Sequence, residues 1–234
     1  YCEVEVSLQN KENLSTWYKK INPAGTLPVL QVDDKVISDS TKICLYLIEE
    51  HGNNELMPSD QESFILVNST LALIDKRLHP ASACLLWPMA IRPYLIEMES
   101  DKALALIKSI PDKKRQDRQK NLLHFGLDAD DVCVGVRTYR DIMSKIDMHL
   151  KDMEWLSGDT FGLADIAVAP YLQLSKQFGW EDLFSDCAAV VRLFSKLSSR
   201  SSFKKGVVAS VSAEKRASFL AKGRANRDKV LSMR

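Results

Sequence analysis

Residues 21–48 read INPAGTLPVLQVDDKVISDSTKICLYLI, and the fold follows from this stretch. An Asn22-Pro23-Ala24-Gly25 turn leads into Thr26-Leu27-Pro28-Val29-Leu30. A second short apolar run, Lys35-Val36-Ile37-Ser38, follows one tight turn later, and Asp39-Ser40 then opens an amphipathic helix. Pro28 has no N–H, so it suits the first residue of a strand or a cis turn. A cis Leu27-Pro28 bond would turn the Leu27 backbone outward, leaving its N–H and C=O to pair with an extended ligand. Ser40 brings a hydroxyl and a backbone N–H to a helix N-terminus, where carboxylates are favoured. Asp39 beside it is placed to receive an ammonium. Together these groups fit a zwitterion with a peptide backbone. The same residues also read as a hairpin and a capped helix with no ligand.

The segment resembles the glutathione-binding half of the thioredoxin-like domain in cytosolic glutathione transferases. That family shows N-P-x-G-x-[VL]-P-x-L, a hairpin, and then [ED]-S-x-x-I-x-x-Y-L. Here the pattern is Asn22-Pro23-Ala24-Gly25-Thr26-Leu27-Pro28-Val29-Leu30, then Asp39-Ser40-Thr41-Lys42-Ile43-Cys44-Leu45-Tyr46-Leu47. The resemblance implies a glutathione site built on Thr26, Leu27, Pro28, Asp39 and Ser40. Leu27 would pair with the cysteinyl backbone, and Asp39 and Ser40 would bind the γ-glutamyl end. Thr26 stands where many relatives have Gln. Lys11 and Asn13 lie where relatives often hold the glycine carboxylate, and each also reads as an ordinary solvated loop residue. Asp39→Ala is expected to weaken glutathione binding more than folding, because Ser40 would still cap the helix.

The chain has 234 residues with 45% hydrophobic content, enough to bury an ordinary core. Its formal net charge of +1 makes no case for a nucleic-acid partner. No run reaches the apolar length of a membrane span. Cys2, Cys44, Cys84, Cys133 and Cys187 are scattered, which argues against a disulfide framework or structural zinc and suits a reducing compartment. His51, His79, His124 and His149 are not spaced for a metal.

Tyr1-Cys2-Glu3-Val4-Glu5-Val6-Ser7-Leu8 alternates apolar and polar residues as a strand does. In the family such a strand is the second, preceded by a strand and helix carrying the catalytic Ser, Tyr or Cys. The resemblance therefore implies that the thiolate-stabilising group lies upstream of Tyr1. Residues 1–234 alone are then expected to be inactive, with turnover restored by about thirty upstream residues.

A short helix is predicted over 14–20, with Trp17 and Tyr18 beneath the sheet, and another over 40–51, ending at Gly52. A linker over 53–60 follows. The rest is helical in pattern: 60–86, 88–108, 131–153, 162–178, 186–199 and 212–231. The predicted fold is α+β, with a partial thioredoxin-like domain over 1–52 and an all-helical domain over 60–234. Gly162-Leu163-Ala164-Asp165 resembles the family's S/T-x-x-D capping box, with Gly162 where Ser or Thr is usual. Asp165 reads as structural, and Phe161 and Ile166 occupy hydrophobic-staple positions. Residues 213–234 read as a solvated terminal helix or a frayed tail.

Residues 108–131 interrupt the helical domain with a basic run, Lys113 to Lys120, that reads as a solvated face or an inserted element. The insertion, Trp17-Tyr18-Lys19-Lys20-Ile21-Asn22-Pro23, Lys35 to Cys44, and Ser202-Phe203-Lys204-Lys205 resemble the glutathione-dependent β-etherases that cleave lignin-type aryl ethers. That resemblance implies a cytoplasmic homodimer whose glutathione thiolate attacks a small hydrophobic or aromatic electrophile. Trp87, Met89, Tyr94 and Met98 are candidate liners of an electrophile pocket, or plain core at helical spacing. The alternative is a non-catalytic glutathione-transferase-like binding or scaffold protein.

Overall fold

The computed structural model describes residues 1–52 and 54–233. Its sheet is a single hairpin: β1 (Val29–Val32) pairs antiparallel with β2 (Lys35–Ser38), Val29 opposite Ser38 and Val32 opposite Lys35. Asp33 enters the turn at φ 51°, a conformation Asp tolerates better than most residues. Helix α1 (Thr16–Ile21) precedes the hairpin and α2 (Ser40–His51) follows it, ending on left-handed Gly52 as expected. Tyr18 is buried, but Trp17 is 43% exposed and does not pack beneath the sheet. The strand predicted over residues 1–8 is not formed. Tyr1 to Glu5 are exposed, and the sheet holds β1 and β2 alone among the described residues. Alternation supplies compatible side chains, but a strand exists only through a ladder with a partner. The backbone instead turns back, with Glu12 N–H donating to Ser7 O at 2.9 Å. Asn53, in the predicted linker, lies outside the described residues.

The remainder is helical. Asp60 caps α3 (Gln61–Leu73) by accepting the Ser63 N–H at 2.8 Å. A wide π turn over Ile74–Leu78 leads into α4 (His79–Ala90). Its cause is local: Pro80 lacks an N–H, and the His79 N–H reaches back to Ile74 O. The break predicted after residue 86 is absent, and α4 runs through Pro88. The residues around that proline, Cys84, Leu85, Trp87 and Met89, are all buried, and their packing outweighs one missing hydrogen bond. Helices α5 (Arg92–Ile96) and α6 (Ser100–Lys108) follow.

Residues 113–125 form α7 (Lys113–Phe125), capped by the Asp112 carboxylate at 2.6 Å from Arg115 N. The stretch does not interrupt the helical domain. Lys113 and Lys114 are exposed, Arg115, Arg118 and Lys120 are half-buried, and Gln119 and Leu122 are buried. Leu122 joins a core cluster with Leu14, Trp87, Leu95, Ile107 and Val132. Helix α8 (Asp130–His149) crosses α4 at Gly135, where an added Cβ would lie 2.9 Å from Ala81 O.

A second, larger core surrounds α9 (Leu163–Phe178), with α3, α8 and α10 (Ala188–Ser199) packed around it. Asp165 is fully buried and accepts N–H bonds from Leu156 (2.8 Å), Gly162 (3.0 Å) and Ser157 (3.3 Å). The hydroxyl missing at the cap comes from elsewhere: Ser157 Oγ accepts the Ala164 N–H at 3.2 Å. A Cβ at Gly162 would lie 2.6 Å from Ser157 Cβ, so the distant serine and the glycine require each other. The predicted staple is replaced. Phe161 packs edge-on against Trp155 and under Arg200, and Ile166 is 36% exposed. Helix α11 (Ser201–Phe203) and a π turn lead to α12 (Ala213–Ala225) and α13 (Arg227–Ser232). The helix predicted over 212–231 is thus divided at Asn226. It is neither frayed nor wholly solvated. Gly223 sits on Phe178, Trp180 Nε1 donates to Gly223 O at 2.9 Å, and Arg140 donates to the Leu231 and Met233 carbonyls.

Candidate functional site

The 22–28 turn is held from beneath. Asn22 Nδ2 donates to Thr26 O (2.8 Å) and Oγ1 (3.0 Å), and the Tyr18 hydroxyl donates to Thr26 O at 2.6 Å. Gly25 adopts φ 60°, and a Cβ there would meet Leu14 Cδ2 at 2.9 Å. Its carbonyl accepts from Asn13 Nδ2 at 2.7 Å and from Arg115 Nη2 at 3.2 Å, which ties α7 to the turn. The Leu27–Pro28 peptide is cis, as the sequence predicts. Thr26 and Leu27 are half-buried and Pro28 is exposed.

Asp39 is the cap of α2. It is held at φ 89°, and Oδ1 accepts from Thr41 N at 3.1 Å and Lys42 N at 3.2 Å. The expectation that Ser40 would cap is corrected, because Ser40 is the first helical residue and the cap lies one position earlier. Both residues are exposed.

Lys11 is not a solvated loop residue. It is 6% exposed, its Nζ donates to Gln119 Oε1 at 2.9 Å, and it lies 5.3 Å from the Trp87 ring centroid. Burial, and then the Arg115 charge, push its pKa down to about 8. Asn13 is buried as well. These contacts were hidden because Gln119 is 108 positions away and belongs to a run read as a polar face.

The surroundings of Asp39 contain groups that sequence reasoning passed over. His79 Nδ1 lies 3.0 Å from the Tyr171 hydroxyl, with the rings edge-on at 82°. Burial lowers the His79 pKa most, although part of the ring reaches solvent. The Asp75 and Asp39 carboxylates oppose the shift, and Arg118 and Arg115 reinforce it. Burial, then Asp75 and Asp39, push the Tyr171 hydroxyl up to about 12. The Cys44 thiol is raised by the same three causes. Charges on the head of α2, in the π turn and on α7 thus act on the His79–Tyr171 pair that joins α4 to α9. The i,i+4 spacing of Asp75 and His79, and the i,i+3 spacing of Arg115 and Arg118, were the available signals.

The four candidate pocket liners do not converge. Trp87 and Met89 are core, and Tyr94 is 41% exposed. Met98 lines a cavity of about 510 Å³ between α5, α6 and α7, with Leu95, Ala103 and Phe125. Helical spacing defines a face but not the neighbour that covers it. Among the described residues there is no cluster of three or more His, Cys, Asp or Glu side chains that could hold a metal. None of their helices is long and apolar enough to cross a membrane.

Residues 1–50 match the family described as glutathione S-transferase, N-terminal domain, and residues 127–201 match glutathione S-transferase, C-terminal domain. Protein LigF of Sphingobium sp. (strain NBRC 103272 / SYK-6) is 26% identical over 177 residues, 73% of this chain and 68% of that protein. Glutathione S-transferase 1 of Dianthus caryophyllus is 28% identical over 169 residues, 71% of this chain and 62% of that protein. The chain thus spans about two thirds of these relatives. The crystal structure of the beta-etherase LigF from Sphingobium sp. strain SYK-6 shares the fold, with a TM-score of 0.74 at 21% identity and 86% of each chain covered. The theta class glutathione S-transferase from Xanthomonas axonopodis pv. citri, solved with glutathione bound, gives a TM-score of 0.61 at 17% identity, covering 88% of this chain and 84% of that one. The hairpin-and-helix unit and the helical domain that follows it are those of a glutathione transferase, and the chain belongs to the glutathione transferase superfamily.

Proposed function

We propose that this protein is a glutathione transferase whose bound thiolate attacks an aromatic electrophile, with a β-aryl ether as the substrate class. The observation that carries this reading is Asp39, a non-glycine residue held at φ 89° with an exposed carboxylate at the head of α2. Asp39 and Ser40 hold the γ-glutamyl end, and the Leu27 backbone ahead of Pro28 pairs with the cysteinyl unit, with Thr26 beside it. Lys11 supplies positive charge beneath the glycine end, from under Gln119 rather than at the surface. The partial thioredoxin-like domain, 1–52, carries the tripeptide, and the helical domain, 60–234, carries the electrophile. A thiolate is favoured at neutral pH where cationic groups lower the thiol pKa, and Arg115 and Arg118 contribute such a field. Similarity to LigF supports the ether class. A cytoplasmic homodimer fits the family and the scattered thiols.

The test is calorimetric titration of the full-length gene product with glutathione, followed by an aryl-ether cleavage assay. Binding with thiol-dependent release of a phenol is the expected result. Binding without turnover of any aromatic electrophile favours a scaffold, and no binding overturns the reading.

A further inference from the structure

We propose that Arg115 of α7 is a positioning residue for glutathione: it holds the Gly25 carbonyl, and through the turn it fixes the Leu27 backbone that meets the cysteinyl unit. This deepens the transferase reading and rests on it. The backbone groups ahead of Pro28 are not treated alike. Gly25 O accepts from Asn13 Nδ2 at 2.7 Å and from Arg115 Nη2 at 3.2 Å. Thr26 O accepts from Asn22 Nδ2 at 2.8 Å and from the Tyr18 hydroxyl at 2.6 Å. Among the described residues, no hydrogen bond uses the Leu27 N–H or carbonyl. Both carbonyls before Leu27 are thus fixed by side chains, and the Leu27 groups are left for a ligand. An extended peptide pairs more tightly with a backbone that is already immobile, because the ordering cost does not fall at binding.

Arg115 reaches this turn from 90 positions away, and α7 grips the half-site at two points. Arg115 and Gln119 stand at i and i+4, so they share a face of the helix. Gln119 Oε1 accepts from Lys11 Nζ at 2.9 Å, and Lys11 and Asn13 belong to one short loop. Asn13 closes the circuit at Gly25 O, the same oxygen that Arg115 reaches. A further tie runs from Lys19 Nζ on α1 to Ser109 O, just ahead of α7, at 2.9 Å. Gly25 O is the only hydrogen-bond acceptor of the Arg115 guanidinium among the described residues. Gly25 is buried, so a donor lost there is not replaced by bulk water. Asn13 alone holds that oxygen from one side, and Arg115 adds the second restraint.

The experiment is calorimetric titration of the full-length gene product with glutathione and with γ-glutamylcysteine, which lacks the glycine unit. The proteins are the unsubstituted chain, R115M and R115K, each with a urea midpoint measured alongside. Methionine keeps the apolar stem of the side chain and removes its N–H donors. Expected for R115M is a loss of about tenfold in affinity for both ligands by the same factor, because the cysteinyl contact is common to the two. R115K, which keeps a donor, should recover part of the loss. A lower urea midpoint with both dissociation constants unchanged marks a merely structural arginine and overturns the proposal. A loss confined to glutathione also overturns it, because Arg115 would then act at the glycine carboxylate itself. An unsubstituted protein that binds glutathione but not γ-glutamylcysteine overturns it too, since the cysteinyl contact would be too weak to carry the effect. All three results leave the transferase reading intact. An unsubstituted protein that binds neither ligand overturns the proposal together with that reading.

Discussion

Asp39→Asn and Asp39→Ala both remove a carboxylate, but they leave different things behind. The Asp39 Oδ1 atom accepts two backbone N–H groups at the head of α2, and the residue sits at φ 89°. Asparagine keeps an acceptor oxygen and tolerates positive φ, so Asp39→Asn should cost a few tenths of a kcal/mol in stability. Alanine loses the cap, worth about 1 kcal/mol, and adds about 1 kcal/mol for a Cβ residue without a local hydrogen bond in that region. Asp39→Ala should therefore destabilise the fold by about 2 kcal/mol, because Ser40 does not hold the cap. Binding behaves differently. Both variants lose the charge-assisted contact to the glutathione ammonium, about 1.5–3 kcal/mol, or roughly tenfold to 150-fold in Kd. Urea denaturation followed by circular dichroism reads the first quantity, and calorimetric titration with glutathione reads the second. Asp39→Asn with wild-type affinity would refute the assignment of Asp39 to the ammonium. Equal stability of the two variants would refute the capping argument.

Lys11 carries a folded-state pKa of about 8 against an ordinary 10.5, so below pH 8 both states bind its proton and the cost of burying the charge is fully present. Between pH 8 and 10.5 the unfolded chain binds more protons, so stability should rise with pH by on the order of 3 kcal/mol from this group. Urea midpoints at pH 7 and pH 10 should show that gain in the unsubstituted protein and not in Lys11→Met. Gly162→Ala should destabilise by about 1–3 kcal/mol through overlap with Ser157, and Ser157→Gly should relieve part of that cost in the double variant. Thermal melts of the four proteins in the cycle measure the coupling, and simple additivity would count against the mutual requirement. Gly223→Ala places a Cβ 2.0 Å from Phe178 O and should displace α12 from α9. The environment of Trp180, whose indole N–H bonds to Gly223 O, should then change in near-ultraviolet circular dichroism. An unchanged spectrum and melting temperature would contradict the packing.

Local chemistry determined a great deal here from sequence alone. The order of turn, Pro28, hairpin and acidic helix start depends on residues within a few positions of one another, so the hairpin, α2 and its Gly52 terminus were legible, as was the structural role of Asp165. Where partners are distant, the sequence was silent or misleading. Tyr1 to Leu8 has the pattern of a strand, but pairing depends on a neighbour that the pattern does not name. Ser157 replaces the hydroxyl that Gly162 lacks across a loop, and no reading of the capping box alone could find it. The basic run of α7 read as a solvated face because its charges dominate the composition. Only packing showed that Gln119 and Leu122 are buried, and that the charges of Arg115 and Arg118 act on His79. The candidate site divides the same way. Leu27, Pro28, Asp39 and Ser40 came from the sequence, whereas the burial of Lys11 and the His79–Tyr171 pair came from the tertiary structure. The reason is that hydrogen bonds and charges act over a few ångströms in space, and chain order records those distances only where partners are also neighbours in sequence.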